Sequence, residues 1–182
     1  MRKLTFEEIT ARRLSPEHMK TVQRFPLYGF LDNIRSLYNV GSIFRTADAV
    51  RLSKLYLTGI TGHPPRREID KTALGAVETV PWEYHADPLL LVKNLKQQQI
   101  KIVVLEHTSH SLPYNQIQYT FPCCLVVGNE VFGIRDEIVE QADYAVEIPM
   151  FGSKQSLNVT VAFGIVIYEM LFQWLEKEDI IP

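Results

Sequence analysis

Cysteine is scarce in this chain of 182 residues: the two present, Cys123 and Cys124, are adjacent. Neighbouring cysteines rarely make a useful structural bridge, so a disulfide scaffold is excluded, and no zinc-finger spacing of Cys and His occurs. With 9 glycines and 10 prolines the chain is neither collagenous nor of low complexity. Gly152 and Gly164 form no phosphate-cradling loop, and neither a P-loop nor a dinucleotide fingerprint occurs. The stretch MRKLTFEEITARRLSPEHMK lacks the apolar core and cleavage site of a signal peptide. A reducing, cytoplasmic location is therefore expected. Long apolar runs are missing with one exception, Leu157 to Leu175. That run barely reaches the roughly 20 residues that cross a bilayer and contains Asn158, Thr160, Glu169 and Gln173. It reads as a buried helix, without a membrane.

What is present is the balance of a globular protein, 46% hydrophobic and 22% charged, in a chain of ordinary single-domain size. The formal charge of −2 conceals an asymmetry. Residues 1–71 hold 13 Lys and Arg against 7 Asp and Glu, whereas residues 72–182 hold 6 against 14. A basic N-terminal part can meet a polyanion while the remainder stays acidic; a merely solvated helical face would look the same.

The periodicity predicts two short helices between Phe6 and Arg24, the second opened by Ser15-Pro16-Glu17 as an N-cap followed by proline. A strand over Tyr28–Ile34 and a helix over Asn39–Arg51 come next. The runs Lys54–Thr58, Ile100–Leu105 and Cys123–Val127 are short, apolar or β-branched, and bounded by turn residues, as buried parallel strands are. Helical stretches such as Asp87–Gln98 lie between them, which gives an α/β domain with helices covering a mostly parallel sheet. A last helix, from about Ser156 to Lys177, is apolar nearly all round and must bury more than one face. A second subunit is the natural cover, so a homodimer is expected.

Three separated segments have compositions that folding alone does not require. In the first, Asn39, Gly41 and Ser42 open a helix that carries Arg45 further in; Asn39 and Ser42 could simply cap it, and Arg45 could pair with Asp48. In the second, the strand Leu125–Val127 ends in Gly128-Asn129-Glu130 with Gly133 beyond, the kind of strand end at which open α/β sheets place ligands. The third, Ile148-Pro149-Met150 to Ser156-Leu157-Asn158, is a loop feeding a helix N-terminus.

Together and in this order, these segments resemble the three motifs of the SpoU/TrmH family of RNA ribose 2′-O-methyltransferases, in the SPOUT superfamily. The resemblance covers about residues 28 to 175. It implies a SPOUT-type α/β fold with a C-terminal trefoil knot, a methyltransferase domain over 28–182 behind a short basic helical extension over 1–27, and S-adenosylmethionine as cofactor. By position it assigns Gly128, Ile148 and Leu157 to the cofactor pocket, with Leu105 and Glu106 as further candidates. Arg45 becomes the catalytic residue, either as base or as a clamp on phosphate and oxyanion; a guanidinium with a pKa above about 12 makes the clamp chemically easier. Asn39 would orient Arg45 or the ribose, Glu130 and Ser156 would shape the acceptor site, and Asn158 would fix the loop or the arginine. Arg45 would serve a pocket formed with the other subunit.

Arg12, Arg13, Arg24, Arg35, Arg66 and Arg67 are the expected phosphate contacts. Members of that family that act on ribosomal RNA often carry an extra N-terminal RNA-binding domain; with only about 27 residues ahead of the core, transfer RNA is expected here over ribosomal RNA. Two rivals remain open: a non-catalytic RNA-binding protein on the same fold, and a small-molecule enzyme without RNA. His107 and His110 have no complementary ligands, so no metal is expected, and Cys123 and Cys124 read as core, having no activating neighbour.

Overall fold

The computed structural model describes residues 1–180. Helices α1 (Phe6–Ala11) and α2 (Pro16–Thr21) open the chain. Thr5 caps the first through a reciprocal capping box with Glu8, and Ser15 caps the second. Then follow β1 (Phe25–Asp32), α3 (Leu37–Ala49), β2 (Leu52–Thr58), α4 (Arg67–Ala73), α5 (Ala76–Thr79), β3 (Trp82–His85), α6 (Pro88–Gln97) and β4 (Lys101–Leu105). The remaining elements are β5 (Leu112–Pro113), β6 (Cys123–Val127), α7 (Asp136–Val139), β7 (Tyr144–Glu147) and α8 (Val159–Lys177).

The seven strands form one parallel sheet in the order β3-β2-β1-β6-β4-β7-β5. Parallel sheets need both faces covered, and here each face has its own apolar core. On one side Leu27, Leu31, Leu55 and Leu125 meet Phe44 of α3, Ile69 of α4 and Phe163 and Val166 of α8. On the other, Phe30, Ile102, Val104 and Val126 meet Leu91, Val92 and Leu95 of α6 and Ile138 of α7. Strand β6 is buried at every residue. Burial pushes both of its thiols, Cys123 and Cys124, well above the ordinary thiol range, so they are inert core.

Boundaries differ from the sequence expectations where a side chain decides them. Strand β1 runs from Phe25 to Asp32 rather than from Tyr28 to Ile34, because Phe25 already pairs with Leu52. Helix α3 opens at Leu37, since it is Ser36, not Asn39 or Ser42, whose side chain accepts the free amide of Asn39. Helix α8 opens at Val159 rather than Ser156, because the Asn158 side chain accepts from the amide of Thr160.

By length and composition α8 could cross a membrane. One stripe of it, Phe163, Val166, Ile167, Met170, Leu171 and Leu175, is instead buried in the protein. Val161, Tyr168 and Phe172 remain exposed on the same helix.

Candidate active site

The C-terminal ends of β4, β6 and β7 open onto a cavity of about 420 Å³, within the range of small-molecule sites. Its walls include Leu105 and Glu106 after β4, Gly128 to Val131 after β6, Ile148 and Met150 after β7, and Gln155 to Val159 ahead of α8. Five residues expected at a cofactor, Leu105, Glu106, Gly128, Ile148 and Leu157, line it together, as do Glu130, Ser156 and Asn158.

The turn after β6 is doubled back on itself. Asn129 and Gly133 exchange both backbone hydrogen bonds, at 3.0 and 2.9 Å. A Cβ on Gly128 would stand 2.3 Å from the backbone of Gly133 and Ile134, and Gly133 sits at φ +71° with the Glu106 carboxylate against it. No larger residue fits at either position without moving backbone or carboxylate. Glu106 closes the turn from the β4 side, accepting from the amides of Ile134 (3.0 Å) and His107 (2.9 Å). Each of its oxygens retains a further lone pair.

Side chains from the three separated segments form one hydrogen-bonded chain at the cavity's rim. The carboxylate of Glu130 accepts from the amides of Arg35 (2.9 Å) and Ser36 (3.1 Å) and from Asn39 Nδ2 (2.8 Å). Asn39 Oδ1 accepts from Asn158 Nδ2 at 3.3 Å, and Asn158 Oδ1 caps α8 through Thr160. The polarity of this chain is forced. A carboxylate can only accept, so Asn39 must turn its NH₂ toward Glu130 and its oxygen toward Asn158, whose own oxygen is left to cap the helix. Burial works to raise the Glu130 pKa, but the amide of Arg35 and the side chain of Asn39, with the amide of Ser36, outweigh it and hold the carboxyl below its ordinary value. Glu130 therefore stays ionised as an anchor and is a poor proton acceptor.

Arg45 is not part of this network and does not line the cavity. It lies six residues beyond Asn39 on α3, about 9 Å along the axis, with its side chain exposed. Among the described residues it makes no ion pair; Asp48, its possible partner, accepts instead from Thr79.

The expected phosphate contacts divide. Arg12, Arg13, Arg35, Arg66 and Arg67 are exposed. Arg24 is a correction: its half-buried guanidinium donates to the carbonyls of Met19, Leu52 and Thr79, tying α2 to β2 and α5. All the geometry assigns it is a structural role.

Several residues at the site were given no role there by the sequence. Asn129 ties the turn to β1, its Nδ2 donating to the Asn33 carbonyl at 2.8 Å. Arg135 clasps the fully buried Asp32 through Nη2 (2.9 Å) and Nε (3.2 Å), across 103 residues of chain. His107 lines the cavity with its Nε2 3.1 Å from the Gln155 carbonyl and its Nδ1 3.5 Å from Glu147. Among the described residues no group of three His, Cys, Asp or Glu could hold a metal ion.

Residues 26–168 match the SpoU rRNA Methylase family. The chain is 38% identical over 148 residues to a tRNA (guanosine(18)-2′-O)-methyltransferase of Aquifex aeolicus, an alignment covering 81% of this chain and 70% of that protein. The crystal structure of the A. aeolicus TrmH/SpoU tRNA modifying enzyme superposes with a TM-score of 0.81 at 34% identity, covering 91% of this chain and 84% of that one. An AdoMet-bound rRNA methyltransferase from Sinorhizobium meliloti superposes at 0.71 with 30% identity, covering 91% and 61%.

Proposed function

The chain belongs to the SpoU rRNA methylase family, and from that premise we propose its assignment in full: an S-adenosylmethionine-dependent enzyme that methylates a ribose 2′-hydroxyl of transfer RNA, working as a homodimer in the cytoplasm. The observation that carries this reading is the convergence of three distant segments on one cavity, joined through Glu130, Asn39 and Asn158. The similarity to the A. aeolicus tRNA enzyme supports transfer RNA as substrate. The exposed apolar residues Val161, Tyr168 and Phe172 on α8 support a second subunit.

The cavity fits the cofactor. Leu105, Ile148 and Leu157 supply apolar walls for an adenine, the glycine turn brings backbone close, and the spare lone pairs of Glu106 can receive sugar hydroxyls. Bound there, S-adenosylmethionine supplies an electrophilic methyl group. The protein's task is then to place the 2′-oxygen in line with it and to stabilise that oxygen as its proton leaves, and positioning of this kind can contribute about 7–11 kcal/mol. Ser156, exposed at the rim, contacts the ribose. Glu130, Asn39 and Asn158 hold the rim in register. Arg45 clamps the neighbouring phosphate and the developing oxyanion as a permanent cation, since a guanidinium with a pKa above about 12 is ill suited to act as base. Lying outside the cavity of its own subunit, it completes the site of the other.

Labelled S-adenosylmethionine, incubated with purified protein and separate pools of unmodified transfer and ribosomal RNA and followed by nucleoside mapping, tests this. A 2′-O-methylated nucleoside from transfer RNA is expected. Label confined to ribosomal RNA would move the substrate, and cofactor binding without transfer to either pool would overturn the enzymatic reading.

A further inference from the structure

Across the 128–133 turn from the cofactor cavity lies a second one, of about 360 Å³, walled by Asn33, Arg35, Ile60, Phe132 and Arg135. Asn129 and Gly133 line both. Phe132 is 85% exposed and Ile60 67% exposed. Exposed apolar side chains are common and need no explanation singly. These two differ in standing on backbone that is pinned. The amides of Val131 and Phe132 both donate to Asn129 Oδ1, at 2.9 and 3.1 Å, so the turn that presents the ring is pinned. Ile60 is fixed by its own amide, which donates to Asn33 Oδ1 at 3.0 Å. Both walls thus hang on Asn33, which adopts a left-handed φ of 58°, a conformation asparagine tolerates better than most residues.

The two cations of the cavity are in different states. Arg135 is neutralised by buried Asp32 and forms a fixed wall. Arg35 is exposed, and among the described residues its side chain has no hydrogen bond or ion pair; only its backbone amide is engaged, by Glu130. The cavity therefore combines an aromatic face on a pinned turn, an apolar neighbour and one uncompensated guanidinium, beside the proposed cofactor cavity.

We propose that this second cavity receives a nucleobase of the substrate RNA, with Phe132 as its stacking platform and Arg35 as the contact to the adjoining phosphate. The proposal rests on the methyltransferase reading above. Every base has a π-face, so an aromatic platform grips a nucleotide whatever its identity, while a guanidinium matches phosphate geometry. Phe132 is then a binding residue for RNA that touches neither the cofactor nor the reacting atoms.

The test compares the wild-type enzyme with Phe132→Ala, Phe132→Trp and Arg35→Ala, with transfer RNA and S-adenosylmethionine varied separately. Phe132→Ala should raise the KM for RNA about 5- to 150-fold, the range that loss of one stacked base implies. The affinity for S-adenosylmethionine should stay as in the wild type, and Phe132→Trp should restore most of the loss. Arg35→Ala should lower the salt dependence of RNA binding by about one counterion. An unchanged KM for RNA in Phe132→Ala overturns the proposal while leaving the methyltransferase reading intact, and so does an equal loss of cofactor affinity, which would show a collapsed turn. A wild-type enzyme that transfers no methyl group to RNA overturns both.

Discussion

Asn39 and Arg45 stand on one helix, six residues apart, and are treated in opposite ways. Asn39 has both ends of its amide engaged, by Glu130 and Asn158, in a chain whose polarity leaves no alternative arrangement. Arg45 is exposed and pairs with nothing among the described residues, although Asp48 lies one turn away. On the function proposed above, the contrast separates two kinds of functional residue. Groups that must hold geometry are satisfied before any ligand arrives, whereas a group that must meet a charge on the substrate is kept unsatisfied until then.

Breaking the unsatisfied end should have the largest effect on activity and the smallest on stability. Arg45→Ala is expected to lower methyl transfer by about 100-fold or more, with the melting temperature unchanged, as for most exposed substitutions. Single-turnover rates and thermal unfolding measured on the same preparation check this. Arg45→Lys should fall between, because it keeps the charge and loses the fork.

The satisfied end is probed by Asn39→Asp against Asn39→Ala. Aspartate there would set a second carboxylate against Glu130, where the amide now stands at 2.8 Å, and one of the two would have to take a proton. A carboxyl pKa raised in the folded state means that stability falls as pH rises through the unfolded value of about 4. The near-isosteric Asp variant should therefore be the less stable of the two at pH 7, by about 1–3 kcal/mol, and should recover on acidification while the Ala variant does not. Denaturant melts at pH 4 and 7 distinguish them.

A smaller effect separates two arginines that looked alike in the sequence. Arg24→Ala removes donors from three carbonyls and should cost about 1–2 kcal/mol of stability without altering the salt dependence of RNA binding. Filter-binding titrations across a salt series would show a reduced slope if Arg24 met phosphate after all. Smallest is the linkage at Glu130. Its pKa is held below the ordinary 4.5, so its contribution to stability is present above that value and fades as pH falls below it. The stability difference between wild type and Glu130→Gln should accordingly shrink as the pH is taken below 4.5.

Strands β1, β2, β4 and β6 were legible as apolar runs, and the residues around the cavity as motifs, because a buried parallel strand and a glycine turn leave local marks. Strands β3 and β7 are four residues long with mixed burial, and the edge strand β5 is two, too short to carry a period. Helix starts moved by two or three residues because a single cap, Ser36 or Asn158, decides them. The clasp of Arg135 on Asp32 and the three carbonyls around Arg24 were invisible for another reason: their partners are brought together only by the fold. The trefoil knot was an expectation of the family resemblance alone, since no residue pattern encodes the order in which a chain passes through itself.

The six-residue turn from Gly128 to Gly133 serves as a party wall. Asn129 and Gly133 face both cavities, and the turn is tied on one side to Glu106 and on the other to Asn33. A guest that displaced this turn in one chamber would therefore move a wall of the other. Any such coupling is reciprocal, so the factor by which RNA alters the hold on S-adenosylmethionine is the factor by which the cofactor alters the hold on RNA. If the two cavities take cofactor and RNA as proposed, loss of the methyl group from the one would be expected to change the hold on the other through this shared wall.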